Sequence, residues 1–176
     1  MGSISDANGL LTDLDFYQGG SEFFTWGEVG WSPSKSERYT RNIHIAVWHV
    51  DERHEVGVDA ADGVVLGANW TTRDDRWMGF FRAGRSRGAA PIYNNTLTGG
   101  FLRNFRRNSD ALGLAVNWGD PPDGSLRDQT TAELFYRLQF ATNLAVTPSL
   151  QMLVHQSLSP ERTTAWVFGL RMRATL

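Results

Sequence analysis

The sequence contains no cysteine, and only one of its seventeen Lys and Arg residues, Lys35, is a lysine. Without cysteine the chain cannot form a disulfide framework, a cysteine-ligated zinc ribbon or a thiol nucleophile. The formal net charge of −2 provides no positive field that would attract nucleic acid or an acidic surface. The chain has 176 residues, which is enough for one domain of ordinary size.

The sequence also lacks long hydrophobic runs, since no stretch approaches the ~20 apolar residues of a membrane-spanning helix. A membrane-spanning β-strand needs only ~9–11 residues of alternating character. The absence therefore excludes a helical membrane protein but not a β-barrel. The first residues do not resemble a secretory signal peptide, so we expect an exported precursor to begin differently.

Alternating apolar and polar residues are the strongest pattern that the chain does contain. Three consecutive segments between Glu133 and Leu176 show this alternation; in the last, Phe168 and Leu170 alternate with Gly169 and Arg171. A period of two places each set on one face of a β-sheet. Arginine and glutamine on one face would be costly in a dry interior, so that face is expected to be wet. Such strands are typical of an outer-membrane barrel with a polar lumen.

Six further segments upstream have the same alternation, and residues 1–6 resemble the end of another strand. The six predicted strands are Phe23–Trp31, Asn42–Val50, Gly63–Thr71, Trp77–Arg85, Thr96–Asn104 and Asp110–Trp118. Longer connections at 7–22, 51–62, 86–95, 119–129 and 156–162 alternate with shorter ones, as extracellular loops alternate with periplasmic turns in outer-membrane barrels. If the last strand ends on the periplasmic side, every longer connection lies outside the cell.

Tryptophan and proline positions add to this fold prediction. Tryptophans near predicted strand ends suit the aromatic girdles of a membrane barrel; they are Trp31, Trp70, Trp77, Trp118 and Trp166. Pro148 lies inside a predicted strand and should cause a bulge or bend near the turn. We therefore predict an all-β protein, an antiparallel up-and-down transmembrane β-barrel with about nine or ten strands present.

Several motifs resemble those of the carbohydrate-selective porin (OprB-type) family. They are Asn117-Trp118-Gly119, Leu126-Arg127-Asp128-Gln129, Ala132 to Gln139, Leu144 to Gln151 and Trp166 to Arg171, with Ser5 to Gly9 and Asn42 to Asp51 as additional matches. The resemblance covers nearly the whole chain; it is specific in the second half and looser across 77–109.

The resemblance implies that this chain is a single outer-membrane domain, the C-terminal portion of a barrel of about sixteen strands. It further implies passive diffusion of mono- or small oligosaccharides across the bacterial outer membrane, with no enzymatic step and no cofactor. The implied partners are carbohydrate cargo, outer-membrane lipid and the barrel-assembly machinery, but not nucleic acid. Self-association into a homo-oligomer is left open.

A sugar channel needs side chains that replace water on the sugar hydroxyls weakly enough for release. The polar sets of the predicted strands supply these groups, and we expect them to line the pore. The candidates are Glu28, His44, Trp48, Arg82, Asn117, Glu133, Arg137, Gln139, Gln151, Arg171 and Arg173. The alternative is that these residues pair with one another for stability and select no solute.

The sequence contains two clusters of possible metal ligands, and neither is expected to bind a metal. The histidines and carboxylates of residues 44–55 suggest a metal cluster, but His44 and His49 have opposite parity and should point to opposite faces. The acidic stretch 120–128 lacks the ligand spacing of a calcium loop.

Two further functional classes are less consistent with the sequence. A hydrolase built on Ser149 or Ser157, with His155 and a carboxylate, would lack the Gly-x-Ser-x-Gly elbow. The remaining alternative is a soluble or secreted β-barrel or sandwich that binds a small ligand, with the tryptophan-rich faces inside. Strands of this length would expose too much apolar surface if those faces stood in water.

Overall fold

A computed structural model describes residues 23–52, 57–89, 91–105 and 110–175. These residues form nine antiparallel strands in one sheet, in which each strand pairs with its neighbours in sequence. The strands are β1 (Phe24–Trp31), β2 (Arg41–Val50), β3 (Ala61–Thr71), β4 (Trp77–Gly88), β5 (Asn95–Asn104), β6 (Ala111–Asp120), β7 (Gln129–Ala141), β8 (Leu144–Val154) and β9 (Thr164–Ala174). The nine predicted strands and their up-and-down order are confirmed, while residues 1–6 lie outside the described ranges.

The described sheet is not closed, because β1 and β9 are its two edges and do not pair with each other. The described strands therefore form part of a barrel wall, as expected for a portion of a larger barrel. Within the described ranges the only helical element is a single 3₁₀ turn, Lys35–Glu37. No helix in these ranges is long and apolar enough to cross a membrane.

The strand register preserves one apolar and one polar face across the whole sheet. Val29, Ile45 and Leu66 are directly paired across β1, β2 and β3, whereas their sequence neighbours face the other way. We call the side with these residues the apolar face and the opposite side the polar face. The continuity follows because the pairing keeps one register within each strand pair, except beside the β7–β8 turn, and a slip of one residue would exchange the faces.

The connections lie at two ends of the sheet. Residues 32–40, 72–76, 105–110 and 142–143 connect strands at what we call the turn end, and 51–60, 89–94, 121–128 and 155–163 do so at the loop end. The length difference is smaller than predicted, because β4 continues to Gly88 and β6 to Asp120. The predicted long connection 86–95 is thereby reduced to 89–94.

Pro148 has a milder effect than predicted. No β7–β8 pair involves Pro148, yet Phe135↔Ser149 and Leu138↔Val146 on either side keep the same register. The register shift lies instead between Gln139 and Ala141, beside the two-residue turn. Proline lacks an N–H, so it removes a ladder hydrogen bond without displacing the strand.

The sheet has almost no interior of its own. The buried apolar residues among those described are the small side chains Ala46, Ala111 and Ala145. Large apolar side chains are exposed, and on β9 Phe168 is 81% and Met172 72% exposed. A sheet with an uncovered apolar face requires an apolar surrounding, because the hydrophobic effect disfavours leaving that face in water.

Candidate functional site

Tryptophans mark both ends of the apolar face. The five that were predicted as girdle residues lie on this face with exposures between 36% and 58%; they are Trp31, Trp70, Trp77, Trp118 and Trp166. The first three lie near the turn end and the last two near the loop end. The guanidinium of Arg103 lies 5.2 Å from the ring centroid of Trp77. Aromatic residues paired with cations suit the two polar boundaries of a bilayer.

The polar face carries all eleven residues that the sequence singled out as pore-lining. Their register positions place them on one side of the sheet; they are Glu28, His44, Trp48, Arg82, Asn117, Glu133, Arg137, Gln139, Gln151, Arg171 and Arg173. The register establishes only that they share this face, so their role in lining a pore remains a prediction.

A row of hydrogen-bonding residues crosses the middle of the polar face from β2 to β7. Successive pairs of the ladder join His44, Gly67, Arg82, Thr98, Asn117 and Thr131. We call this set the central polar row. The side-chain amide of Asn117 donates to Thr98 Oγ1 at 2.7 Å, so neighbouring members already bind each other. The row presents donors and acceptors along a line perpendicular to the strands.

The next row towards the turn end contains Glu133 and Gln151 at one side of the sheet and two asparagines at the other. Glu133 pairs directly with Gln151 across β7 and β8. At the other side of the sheet, Asn69 Nδ2 donates to Asn42 Oδ1 at 3.2 Å. This row therefore adds amides and one negative charge beside the central polar row.

Arginines concentrate on the polar face near the turn end. Arg171 pairs with Thr147 and Arg173 with Ala145 across β8 and β9, and Arg137 lies on the same face of β7. Gln139 differs from the other candidates because its side-chain amide donates to the Ala141 carbonyl at 2.7 Å. Part of its amide thus serves the β7–β8 turn and is unavailable to a solute.

Aromatic rings on the polar face lie over glycines of the neighbouring strand. A Cβ added at Gly63 would come within 2.5 Å of the Trp48 ring, and one at Gly100 within 2.6 Å of the Phe80 ring. These glycines provide the space in which the rings lie against the sheet. Sequence parity could place the rings on this face, but their glycine partners are known only once the strand register is known.

Several polar-face residues were missed as candidates although their parity identifies them. Thr98 and Thr131 belong to the central polar row, and Asn42 and Asn69 to the row beside it. Thr98, for example, has parity opposite to Leu97 on the same strand. The signal for these residues was therefore present in the alternation of each strand.

The alternative site chemistries find no support in the described residues. No group of three or more His, Asp or Glu side chains there could hold a metal ion. His44 and His49 lie on opposite faces by register, and His54 and Glu55 lie outside the described ranges. His155 Nε2 lies 3.4 Å from Arg127 Nη1, and none of the described hydrogen bonds joins this imidazole to a serine.

Comparison with family models matches residues 59–176 to the model described as Carbohydrate-selective porin, OprB family. The matched region begins just before β3 and contains β3 to β9. Comparisons with curated proteins and with solved structures gave no significant match. Glu28, His44 and Trp48 precede the matched region, so their assignment depends on the register alone.

Proposed function

Because the chain belongs to the OprB family of carbohydrate-selective porins, we propose that its polar face lines a lumen through which mono- or small oligosaccharides diffuse passively. The observation that carries this proposal is that nine paired strands keep a face with all eleven polar candidates opposite a face of exposed apolar side chains. Alternation of lipid-facing and lumen-facing residues is the physical requirement for a porin wall. No cofactor or energy source is needed, since the solute moves down its gradient.

The apolar face gives the proposed orientation in the bacterial outer membrane. Its exposed large side chains would contact lipid, with the tryptophans at the two interfaces. The turn end would face the periplasm and the loop end the outside, and insertion would use the barrel-assembly machinery. The soluble alternative needs a cover for this face, and Phe168 and Met172 have none among the described residues.

Further strands must complete the wall in the membrane. Among the described strands β1 and β9 each have a neighbour on one side only, and lipid cannot satisfy the backbone groups of an open edge. We therefore place the nine strands in a larger barrel of about sixteen, whose lumen would be wide enough for a solute. A second copy of the chain is an alternative source of the missing strands.

Inside such a lumen the polar face would bind the solute through hydrogen bonds and would catalyse no reaction. The central polar row, Glu133 and the arginines near the turn end offer donors and acceptors that can replace water on sugar hydroxyls. Four arginines and two glutamates are among the eleven candidates. Mixed charge of this kind suits neutral polyols, because each hydroxyl both donates and accepts.

The absence of cysteine from the chain allows a direct test of which face is wet. We expect Asn117→Cys to react with a charged, water-soluble thiol reagent in lipid vesicles and adjacent Val116→Cys to be protected, because the two lie on opposite faces. The measurement is the fraction labelled, by mass spectrometry. Equal labelling, or faster labelling of Val116→Cys, would contradict the proposed lumen.

Single-channel conductance in a planar bilayer, with and without glucose, tests whether the proposed lumen admits a sugar. Conductance steps of the refolded chain that glucose partly blocks would support a sugar pathway. Steps that glucose leaves unchanged would contradict carbohydrate selectivity. Absence of steps from a folded, membrane-inserted chain would show that it does not close a pore without additional strands.

A further inference from the structure

A chain of hydrogen bonds on the polar face orients the imidazole of His44. Asn42 Nδ2 donates to the Arg38 carbonyl at 2.6 Å, which fixes the orientation of the Asn42 amide. Its oxygen, Oδ1, accepts from Asn69 Nδ2 at 3.2 Å. The amide oxygen of Asn42 therefore points towards β3 and remains available to one further donor.

His44 supplies that donor. Its Nδ1 lies 3.2 Å from Asn42 Oδ1, and because an amide oxygen can only accept, Nδ1 must carry the proton. In the neutral imidazole the other nitrogen, Nε2, is then an acceptor. No described residue provides a donor to Nε2, so a proton-bearing group from solution can bind there.

The Nε2 atom lies beside a guanidinium because of a glycine. His44, Gly67 and Arg82 are consecutive members of the central polar row on β2, β3 and β4. The His44 ring occupies the space that a Cβ of Gly67 would fill, and Arg82 Nη1 lies 3.0 Å from the same point. An acceptor and a donor from two different strands thus converge above the backbone of a third.

We propose that His44 Nε2 and Arg82 together bind a hydroxyl group, or two neighbouring hydroxyls, of a sugar in the lumen. The hydroxyl O–H donates to Nε2, and the same or the adjacent oxygen accepts from the guanidinium. This inference rests on the proposed function, because it requires the polar face to be wet. A fully deprotonated inorganic anion such as sulfate fits less well, since it has no proton for the Nε2 acceptor.

The neighbouring strands extend this pair into a surface for a whole sugar ring. Thr98 follows Arg82 in the central polar row, and its hydroxyl oxygen accepts from the Asn117 amide at 2.7 Å. The Thr98 O–H remains free to donate to a sugar oxygen. Adjacent strands are about 4.8 Å apart, so one sugar can reach His44, Arg82 and Thr98 only by lying across the strands.

The test is D-glucose affinity of the full chain folded in detergent, measured by calorimetric or saturation-transfer titration. We expect His44→Phe and Arg82→Met each to weaken binding about tenfold, which is the effect of losing one hydrogen bond of this kind. The double variant should lose less than the product of the two single effects, since both groups bind the same hydroxyl or adjacent hydroxyls of one sugar and are therefore coupled. Independent, multiplicative effects would overturn the shared site.

Two matched controls lie on the other side of the same strands. His49→Phe on β2 and Arg85→Met on β4 change the same residue types, but these residues face the apolar side. We expect both to leave glucose affinity unchanged. Equal losses in the controls and the tested variants would overturn the inference, because they would reflect a change in the fold alone.

A second variant covers the case in which His44→Phe does not fold. His44→Gln places an amide oxygen where an acceptor is needed and is expected to keep glucose affinity within about threefold. If His44→Gln weakens glucose binding by the tenfold expected for removing the acceptor, the proposed role of Nε2 as an acceptor is wrong. Inorganic sulfate that binds more tightly than glucose, and depends on Arg82 but not on His44, would replace it with an anion site.

The outcomes separate this inference from the proposed function. If Asn117→Cys is labelled from water but the unmodified chain does not bind glucose, the lumen stands and the His44–Arg82 sugar site is wrong. If Asn117→Cys is not labelled, the proposed lumen itself is wrong.

Discussion

At the scale of the residue, glycines on the polar face leave space in which aromatic rings of the adjacent strand pack. Gly63, Gly100 and Gly113 each lie beneath an aromatic ring from the adjacent strand. The rings cover backbone that would otherwise be bare, as in aromatic rescue of strand glycines. A ring held against the sheet also projects less into the space above the polar face.

This packing predicts opposite effects for two glycine substitutions. Gly113→Ala should destabilise the chain by about 1–3 kcal/mol, because the new methyl group would overlap the Phe135 ring. Gly79→Ala should be neutral or stabilise by up to about 1 kcal/mol, since no atom lies within 4 Å of its added Cβ. The temperature at which the folded gel band is lost in detergent measures both. Equal transition temperatures would contradict the packing role of Gly113.

At the scale of the element, the β3–β4 turn is stabilised by its own side chains. Thr72 Oγ1 donates to Asp74 Oδ1 at 2.5 Å and accepts from the Trp77 N–H at 3.1 Å. Asp75 has a positive φ of 56°, a conformation that Asp tolerates better than most residues. These contacts explain how a short charged segment connects two long strands.

The hydrogen bonds of the same turn affect the pKa of Asp74. The hydrogen bond from the Thr72 hydroxyl, followed by that from the Arg76 N–H and the charge of Arg76, lowers the pKa of Asp74 below 3.8. A lowered pKa in the folded state stabilises the turn above pH ~4, and this contribution is lost as the pH falls through the lowered value. We expect Thr72→Val to raise the pKa of Asp74, as followed by carboxyl NMR.

Asp123 provides the control for that titration. Its pKa is also lowered, chiefly by the side chain of Ser125 and then by its backbone N–H, but in a connection at the opposite end of the sheet. Thr72→Val should leave the pKa of Asp123 unchanged. If both carboxyl groups shift together, the effect of the substitution is global and the assigned cause is wrong.

At the scale of the whole molecule, the described sheet has two faces and two edges but almost no core. Stability must therefore come from the ladder hydrogen bonds and from contact of the apolar face with lipid or detergent. Among the described strands β9 pairs with β8 alone. Lipid, detergent or a further strand can therefore affect the stability of the described sheet mainly at its apolar face and its two edges.

The open edge predicts a gradient of hydrogen exchange in detergent micelles. The alternate amides of β9 that point away from β8 should exchange fastest among the strands, and those of the central β4–β6 slowest, since the latter have neighbours on both sides. Exchange followed by NMR or mass spectrometry gives the protection of each strand. Equal protection of β9 and β5 would show that another strand covers this edge.

How much could be predicted differs between the strands and the site. The alternation in β9, with Arg171 and Arg173 on one side and Phe168 and Leu170 on the other, was enough to assign both faces. The same parity placed all eleven candidates on one face. The approach of His44 to Arg82 could not be predicted, because those residues are far apart in sequence and meet only through the β2–β3–β4 register.

The sequence by itself determined the nine strands, their two faces and the family, because a period of two and local motifs are properties of consecutive residues. Only the tertiary structure decided which residues of different strands lie side by side. It placed Gly67 between His44 and Arg82, Gly113 beneath Phe135, and the register shift at Gln139 rather than at Pro148. The physical reason is that cross-strand register is set by the whole ladder of hydrogen bonds, and no single segment encodes it.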